Sequence, residues 1–262
     1  MTRYISARSN RCPMPMSRWK AAGIHLSANA IIAVFALGLI FLVWYPQPYS
    51  QAAGAGTLAL LLLGVDLVLG PLLTLVVYKA GKKGLKFDLT LIVLLQLCAF
   101  AYGMHVVALA RPAFIVGVVD RLVLVTANEL EPKDLAQAAP SYRSIPWTGP
   151  LLVGAPLPTD PIQSNEVLTS GLAGKDIERL PKYYQNYSTV VSGLLERAVP
   201  LEQFERKYAD VSPTIQQWLH EHPQLASTNI VALPFKAREA SLTTLLDRRN
   251  GEILDVLAID PW

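Results

Sequence analysis

The chain has 262 residues, of which 52% are hydrophobic and only 16% charged, where an average soluble domain carries about 25% charge. Asp66 is the only formally charged residue between Lys20 and Lys79, and Asp88 the only one between Lys86 and Arg111; two such stretches exclude a fully soluble protein, and the hydrophobicity excludes intrinsic disorder. The formal net charge of +3 hides an asymmetry, with nine Lys/Arg against two Asp/Glu over residues 1–110 and 14 against 18 over residues 111–262, so the second part offers no basic patch for nucleic acid.

The chain opens with a basic tail, residues 1–20, holding Arg3, Arg8, Arg11, Arg18 and Lys20, with Met14 and Met16 as alternative initiators to Met1. A membrane crossing takes roughly 20 mostly apolar residues. Three segments of 21–110 qualify: Ala21 to Tyr45, Ala52 to Tyr78, and about Phe87 to Ala110. The first ends in Trp44-Tyr45, an interfacial aromatic pair, and then meets Pro46 and Pro48 as a helix stop. Its apolar core is too long for a cleaved signal peptide. Positive residues mark the cytoplasmic side. They fill the tail and the loop after the second span (Lys79, Lys82, Lys83, Lys86), while Pro46–Gln51 carries no charge. The N-terminus is therefore expected inside and the C-terminal domain outside, which in a bacterium means an inner-membrane protein with a periplasmic domain.

Asp66 sits near the middle of the second span, where a carboxylate costs about 2.5–3.5 kcal/mol on insertion scales and needs a partner, a water cavity or a proton. At 1.5 Å of rise per residue, Asp66 lies roughly 18 Å deep, and Asn29 and Gln96 on the other two spans lie at roughly 14 Å. The three side chains share about one layer and are expected to form a hydrogen-bonded cluster. Pro71 removes the donor to the Leu67 carbonyl and is expected to kink the span, and Gly70 beside it admits close backbone approach. Asp66, Gly70 and Thr74 fall on one helix face at i, i+4 and i+8. That face is either polar glue between the spans or a surface for a visiting helix; a proton relay is a third reading of an intramembrane carboxylate. Asp88 reads as an N-terminal cap of the third span. His105 and His25 read as residues of the outer and inner interfaces, without the ligand set of a metal site.

Residues 111–262 are enough for one compact core. Ala113–Thr126 reads as strand, with Asp120-Arg121 either a turn or a bend. Helices are expected at Lys133–Ala138, Ile162–Ser170, Thr189–Ala198, Leu201–Tyr208 and Thr214–His222, several with proline at or near the first position. Pro150–Ala155 reads as extended. Three strands close the chain, Asn229–Lys236, Glu239–Asp247 and Glu252–Ile259, the last two flanking Asn250-Gly251 as a hairpin of the I′ type. The fold class is thus three transmembrane helices followed by an α+β domain. No nucleophile elbow, phosphate loop or metal set is found, and Cys12 and Cys98 make no disulfide framework. His220 and His222, two apart on a short helix, point away from each other. No enzyme activity and no cofactor are expected. Trp218 is assigned to the core. Tyr183, Tyr184 and Tyr187 are the candidate periplasmic contact surface, because aromatic residues are enriched at interface hot spots.

Several stretches, in this order, carry a family resemblance: Gly64-Val-Asp66-Leu-Val-Leu-Gly70-Pro71-Leu-Leu-Thr74; Lys86-Phe-Asp88-Leu; Gln96 with Tyr102-Gly103 and Arg111-Pro112; Val119-Asp120-Arg121; and Asp260-Pro261-Trp262. From about Ser17 onward the chain resembles the type IV pilin accessory proteins of the TfpX/TfpZ type, departing in having Leu122 where the family often has an aromatic residue. The resemblance implies an inner-membrane chaperone for the cognate major pilin that supports pilus assembly and twitching motility, with the assembly platform as a further partner beside membrane lipid. It supplies no catalytic residues. A pilin subunit awaiting assembly is held by one apolar helix, with its head in the periplasm. Asp66, Gly70, Pro71, Thr74, Gln96 and Asn29 are then candidates to meet the pilin helix, and the outer domain to cover the head. The alternative is a membrane enzyme that modifies pilin by glycosyl or acyl transfer, for which Asp120 is the only acid near the outer membrane face.

Overall fold

The structure, a computed structural model, describes residues 16–238 and 240–260. Arg3, Arg8, Arg11, Cys12, Met14, Glu239, Pro261 and Trp262 lie outside the described residues. Helix α1 runs over Arg18–Gly38 and loosens into a π-helical turn over Leu39–Trp44, closed by Tyr45 N–H donating to the Ile40 carbonyl at 2.7 Å. Pro46 and Pro48 stop it, since neither has an N–H to give. A single turn, α2 (Tyr49–Ala52), leads into α3 (Ala55–Val77), which runs uninterrupted through Pro71. Helix α4 spans Leu85–Leu109. Arg18–Trp44, α3 and α4 are long and apolar enough to cross a membrane. The expected cap at Asp88 is corrected: the residue lies inside the first turn of α4 and pairs with Lys82 Nζ at 2.6 Å. Its charge still complements the positive end of the helix dipole.

The C-terminal domain is built on one sheet of eight strands. Strands β1 (Pro112–Val118) and β2 (Arg121–Thr126) form an antiparallel hairpin, with Val116 opposite Val123. Asp120 therefore belongs to a turn rather than to a bend in one strand. β3 (Leu151–Gly154) lies parallel to β1, and the two-residue β4 (Gln185–Asn186) pairs with β3. On the other side, β6 (Ile230–Lys236) runs parallel to β2 and continues into the antiparallel meander β7 (Ser241–Asp247) and β8 (Ile253–Leu257). β5 (Val199–Pro200) pairs with β6, and the order along the sheet is β4-β3-β1-β2-β6-β7-β8. Parallel pairs need crossover connections. These crossovers carry the helices: α5 (Pro132–Leu135) before β3, then α6 (Pro161–Leu172), α7 (Ser188–Arg197), α8 (Leu201–Lys207) and α9 (Ser212–Glu221) before β6. Asp160 caps α6 by accepting from Ile162 N–H and Gln163 N–H, and Pro161 follows at its first position.

Two hydrophobic clusters hold the domain. One gathers Phe114, Val116, Val123, Val125, Val153 and Tyr184; the other gathers Leu201, Phe204, Ile215, Trp218, Ile230 and Leu245. Trp218 also donates its indole N–H to Asp255 Oδ2 at 2.7 Å. The β7–β8 connection differs from the expected I′ turn. That turn needs positive φ at two central residues, yet Asn250 is not in the left-handed region; Gly251 alone is, at φ +70°. Gly251 N–H donates to the Asp247 carbonyl across a four-residue loop, Arg248–Gly251, and a Cβ at Gly251 would stand 2.5 Å from Val191 Cγ1.

The chain divides into two compact units. One holds the chain up to Val34 with Leu62–Tyr102; the other holds Phe35–Leu61 and all from Gly103 onward. Within the second, the helix ends are tied to the C-terminal domain. Tyr45 hydroxyl donates to the Val107 carbonyl at 2.8 Å and Gly149 N–H to the Val43 carbonyl at 2.8 Å. The Arg111 guanidinium donates to the carbonyls of Ala108 and Pro146 and lies over the Trp147 ring, which packs edge-on against Trp44.

Candidate partner-binding site among the helices

In the first unit the three helices bring their polar side chains together. Asn29 Nδ2 donates to the Asp66 main-chain carbonyl at 2.7 Å, and Gln96 Nε2 reaches the same oxygen at 3.5 Å. The cluster expected from depth is thus assembled on the backbone oxygen of Asp66 and not on its carboxylate, which makes no hydrogen bond or ion pair among the described residues. Gly70 is buried, and a Cβ there would collide with the Gln96 side chain; the glycine is what lets α4 bring an amide against α3. Thr74, one turn further on, is buried and its hydroxyl lies 2.6 Å from His25 Nδ1. Pro71 is half-buried beside it. Asp66, Gly70 and Thr74 therefore face the other helices: Asn29 and Gln96 stand against Asp66, Gln96 also against Gly70, and His25 against Thr74.

These groups border a pocket of about 150 Å³, lined by His25, Asn29 and Ile32 of α1, Leu63, Asp66 and Leu67 of α3, and Val93, Gln96, Leu97 and Phe100 of α4. The α3 residues are buried or half-buried, whereas Ile32, Val93 and Leu97 are exposed. The pocket thus has a floor on α3 and an apolar rim on α1 and α4. Gln96 Oε1 is buried and has no hydrogen-bond partner among the described residues. His25 is the member that sequence reading assigned elsewhere, to the inner interface; its i, i+4 spacing from Asn29 was the available signal.

The tyrosines of the C-terminal domain do not form one exposed patch. Tyr184 is 2% exposed, packs edge-on against Phe114 and donates its hydroxyl to the Glu178 carbonyl. Tyr187 is half-buried and donates to the Gly251 carbonyl at 3.0 Å, and Tyr183 bonds Glu166. The expectation fails for Tyr184 because a phenol in a run of aromatics between two short strands has its apolar body in the core and only its hydroxyl to satisfy. Large exposed apolar side chains gather elsewhere, at Val119, Leu157, Leu168 and Leu172 beside a pocket that also touches Arg121, Glu178 and Lys236. Asp120, the acid weighed for an enzymatic role, is held in a two-point bond by Arg121, which keeps its carboxyl below the usual range. Glu178 is pushed the other way by burial. His222 stacks on Trp218 and its Nδ1 lies 2.9 Å from the Trp218 carbonyl, so the His-Glu-His run is a helix end.

Three helices long and apolar enough to cross a membrane, followed by an α+β domain, suit a membrane protein. A family model described as FimB, fimbrial assembly protein, matches residues 15–54, which cover α1 and the turn into α3. The chain is 34% identical over 240 residues to the fimbrial assembly protein of serogroup I from Dichelobacter nodosus, covering 91% of this chain and 90% of the relative. It is 30% identical to the serogroup E1 protein over the same extent, and 38% identical to that of serogroups C1 and C2 over 121 residues, 45% of this chain and 92% of the relative. The chain belongs to the family of fimbrial assembly proteins. No solved structure matches it.

Proposed function

We propose that this protein is a type IV pilin accessory protein of the inner membrane, a chaperone that binds and stabilises the cognate major pilin and promotes pilus assembly and twitching motility. The membership in a fimbrial assembly family over nine-tenths of the chain supports the assembly role. The single structural observation that carries the chaperone reading is the pocket bordered by Asn29, Asp66 and Gln96 among three apolar helices. A subunit anchored by one apolar helix needs a partner inside the lipid as well as at its head, and the helices and the C-terminal domain are proposed for these two roles. The distribution of Lys and Arg supports an N-terminus in the cytoplasm and a C-terminal domain in the periplasm. In this reading the protein is not an enzyme, needs no cofactor, and hands pilin onward to the assembly platform.

The test is co-purification of pilin with the tagged full-length protein, together with pilin level and pilus number in a deletion strain. Pilin should be captured, and both quantities should fall without the protein; unchanged pilin and pilus numbers overturn the reading. Reporter fusions at the C-terminus should be active only in the periplasm. Pilin mass should be the same with and without the protein, and a mass difference would favour the modifying enzyme.

A further inference from the structure

We propose that the pocket among α1, α3 and α4 is an amine site: it receives a primary amine or ammonium group presented by an apolar helix that approaches through the lipid. The assignment deepens the chaperone reading, on which the identity of the helix as pilin rests; the amine chemistry rests on the pocket alone.

Two acceptors border the pocket without a donor. The Asp66 carboxylate makes no hydrogen bond or ion pair among the described residues, and its one electrostatic neighbour, His25, has Nδ1 against the Thr74 hydroxyl at 2.6 Å. Gln96 Oε1 is buried and unpartnered, while the Nε2 of the same amide is turned to the Asp66 carbonyl. The amide orientation follows from that carbonyl, since a flip would set two oxygens against each other. Asn29 directs one N–H of its amide to the Asp66 carbonyl. Two acceptors that bound this pocket, the Asp66 carboxylate and Gln96 Oε1, thus stand without a partner among the described residues. An uncompensated acceptor in hydrocarbon is costly, and a charge-assisted N–H donor is the strongest complement to a carboxylate.

Size and opening narrow the occupant. A cavity of about 150 Å³ admits one benzene-sized group, so the pocket, also about 150 Å³, takes the end of a side chain or of a chain and not a helix. Its rim, Ile32 on α1 with Val93 and Leu97 on α4, is exposed and apolar. Such a rim suits the flank of a lipid-embedded helix, with the amine reaching inward to the α3 floor. A lipid headgroup amine is excluded by depth, because Asp66 is roughly twelve residues, or 18 Å at 1.5 Å each, from the end of its span.

The experiment uses the full chain in phosphatidylethanolamine/phosphatidylglycerol nanodiscs, with a photo-crosslinking residue at Leu97. Three apolar helical peptides of roughly 20 residues are presented, identical except for Lys, Met or Glu at the central position. The Lys peptide should crosslink about tenfold more than the Met peptide, the lower end of the effect of one hydrogen bond to a charged group, and the Glu peptide no more than Met. Asp66→Leu should abolish the Lys preference. Asp66→Asn, which keeps the shape and an acceptor oxygen, should retain part of it, so loss of folding in the leucine variant does not decide the result. Equal crosslinking of Lys and Met, a preference for Glu, or a Lys preference that survives Asp66→Leu overturns the amine site. Pilin co-purification with the same variants separates the two claims. Pilin capture unaffected by Asp66→Leu overturns pilin as the occupant of the site while the chaperone reading stands. A Lys preference with no pilin captured by the wild type supports the site and overturns the chaperone reading.

Discussion

The helices and the C-terminal domain draw on the same apolar residues and use them in opposite ways. In the domain, large side chains are interior: Phe114, Phe204, Phe235, Leu233 and Leu245 are fully buried. In the helices many point outward, as Leu60, Leu61, Val68 and Leu95 do, and the buried positions include small or polar residues such as Ala33, Ala36, Ala59 and Thr74 beside Ile40, Trp44, Leu63 and Val107. Water drives the first arrangement, since apolar area leaves it at about 25 cal/mol per Å². Lipid tails are as apolar as leucine and supply no such drive between helices, so close backbone approach and interhelical hydrogen bonds do the joining. The lesson is that strength and specificity are separated in this chain. The domain is held by many non-directional contacts, the helix cluster by a few directional ones.

Mutations placed on the two sides should break this contrast if it is wrong. Phe114→Ala removes a fully buried ring packed on Tyr184 and should cost about 3–5 kcal/mol, read by denaturant unfolding of the full-length protein in detergent through its tryptophan fluorescence. Trp218→Phe keeps the ring bulk but deprives Asp255 of its indole donor; about 1.5–3 kcal/mol should be lost, as for other hydrogen bonds to charged groups, and a Trp218→Phe/Asp255→Leu double variant should recover part of it. Asn29→Leu deletes the bond to the Asp66 carbonyl and should cost only about 0.6 kcal/mol, with roughly 1.7 as the upper end for such contacts in lipid. A loss near that of Phe114→Ala would show that the helix cluster carries the stability after all.

Alkaline titration sharpens the comparison from the domain side without a mutation. Burial raises the phenol of Tyr184 well above its ordinary value of 10, and pushes that of Tyr187 to about 12. A group whose pKa is raised in the folded state contributes fully below its unfolded value, and its contribution is lost as pH rises through the folded one. The melting temperature should therefore be insensitive to these two groups below pH 10 and fall between pH 10 and about 12. Tyr187→Phe should flatten part of that fall, and an unchanged slope would mean the ring is solvated.

Much of the domain was legible residue by residue. Asp160-Pro161 announced α6 because its side chain and ring act locally, on the first turn alone. The Ala113–Thr126 run announced β1 and β2 because β-branched residues mark strands wherever they pair. The I′ turn failed for the same reason that makes turns hard: Asn250-Gly251 states a preference, whereas the loop length is set by where Asp247 and Glu252 meet across the sheet. Tyr184 failed because an aromatic residue looks alike as core and as interface until its neighbours are known. In the membrane, depth counting brought Asn29, Asp66 and Gln96 to one layer, but it could not say which atom of Asp66 they would bond, nor that His25 would join Thr74.

By itself the sequence determined three lipid-compatible helices, their basic flanks, and an α+β module after them, since these depend on composition, period and local caps. Only the tertiary structure decided the order of the eight strands and the burial of the tyrosines. It alone left the Asp66 carboxylate and Gln96 Oε1 without a partner among the described residues, because satisfaction of a polar atom is a property of whatever surrounds it in space and not of its place along the chain.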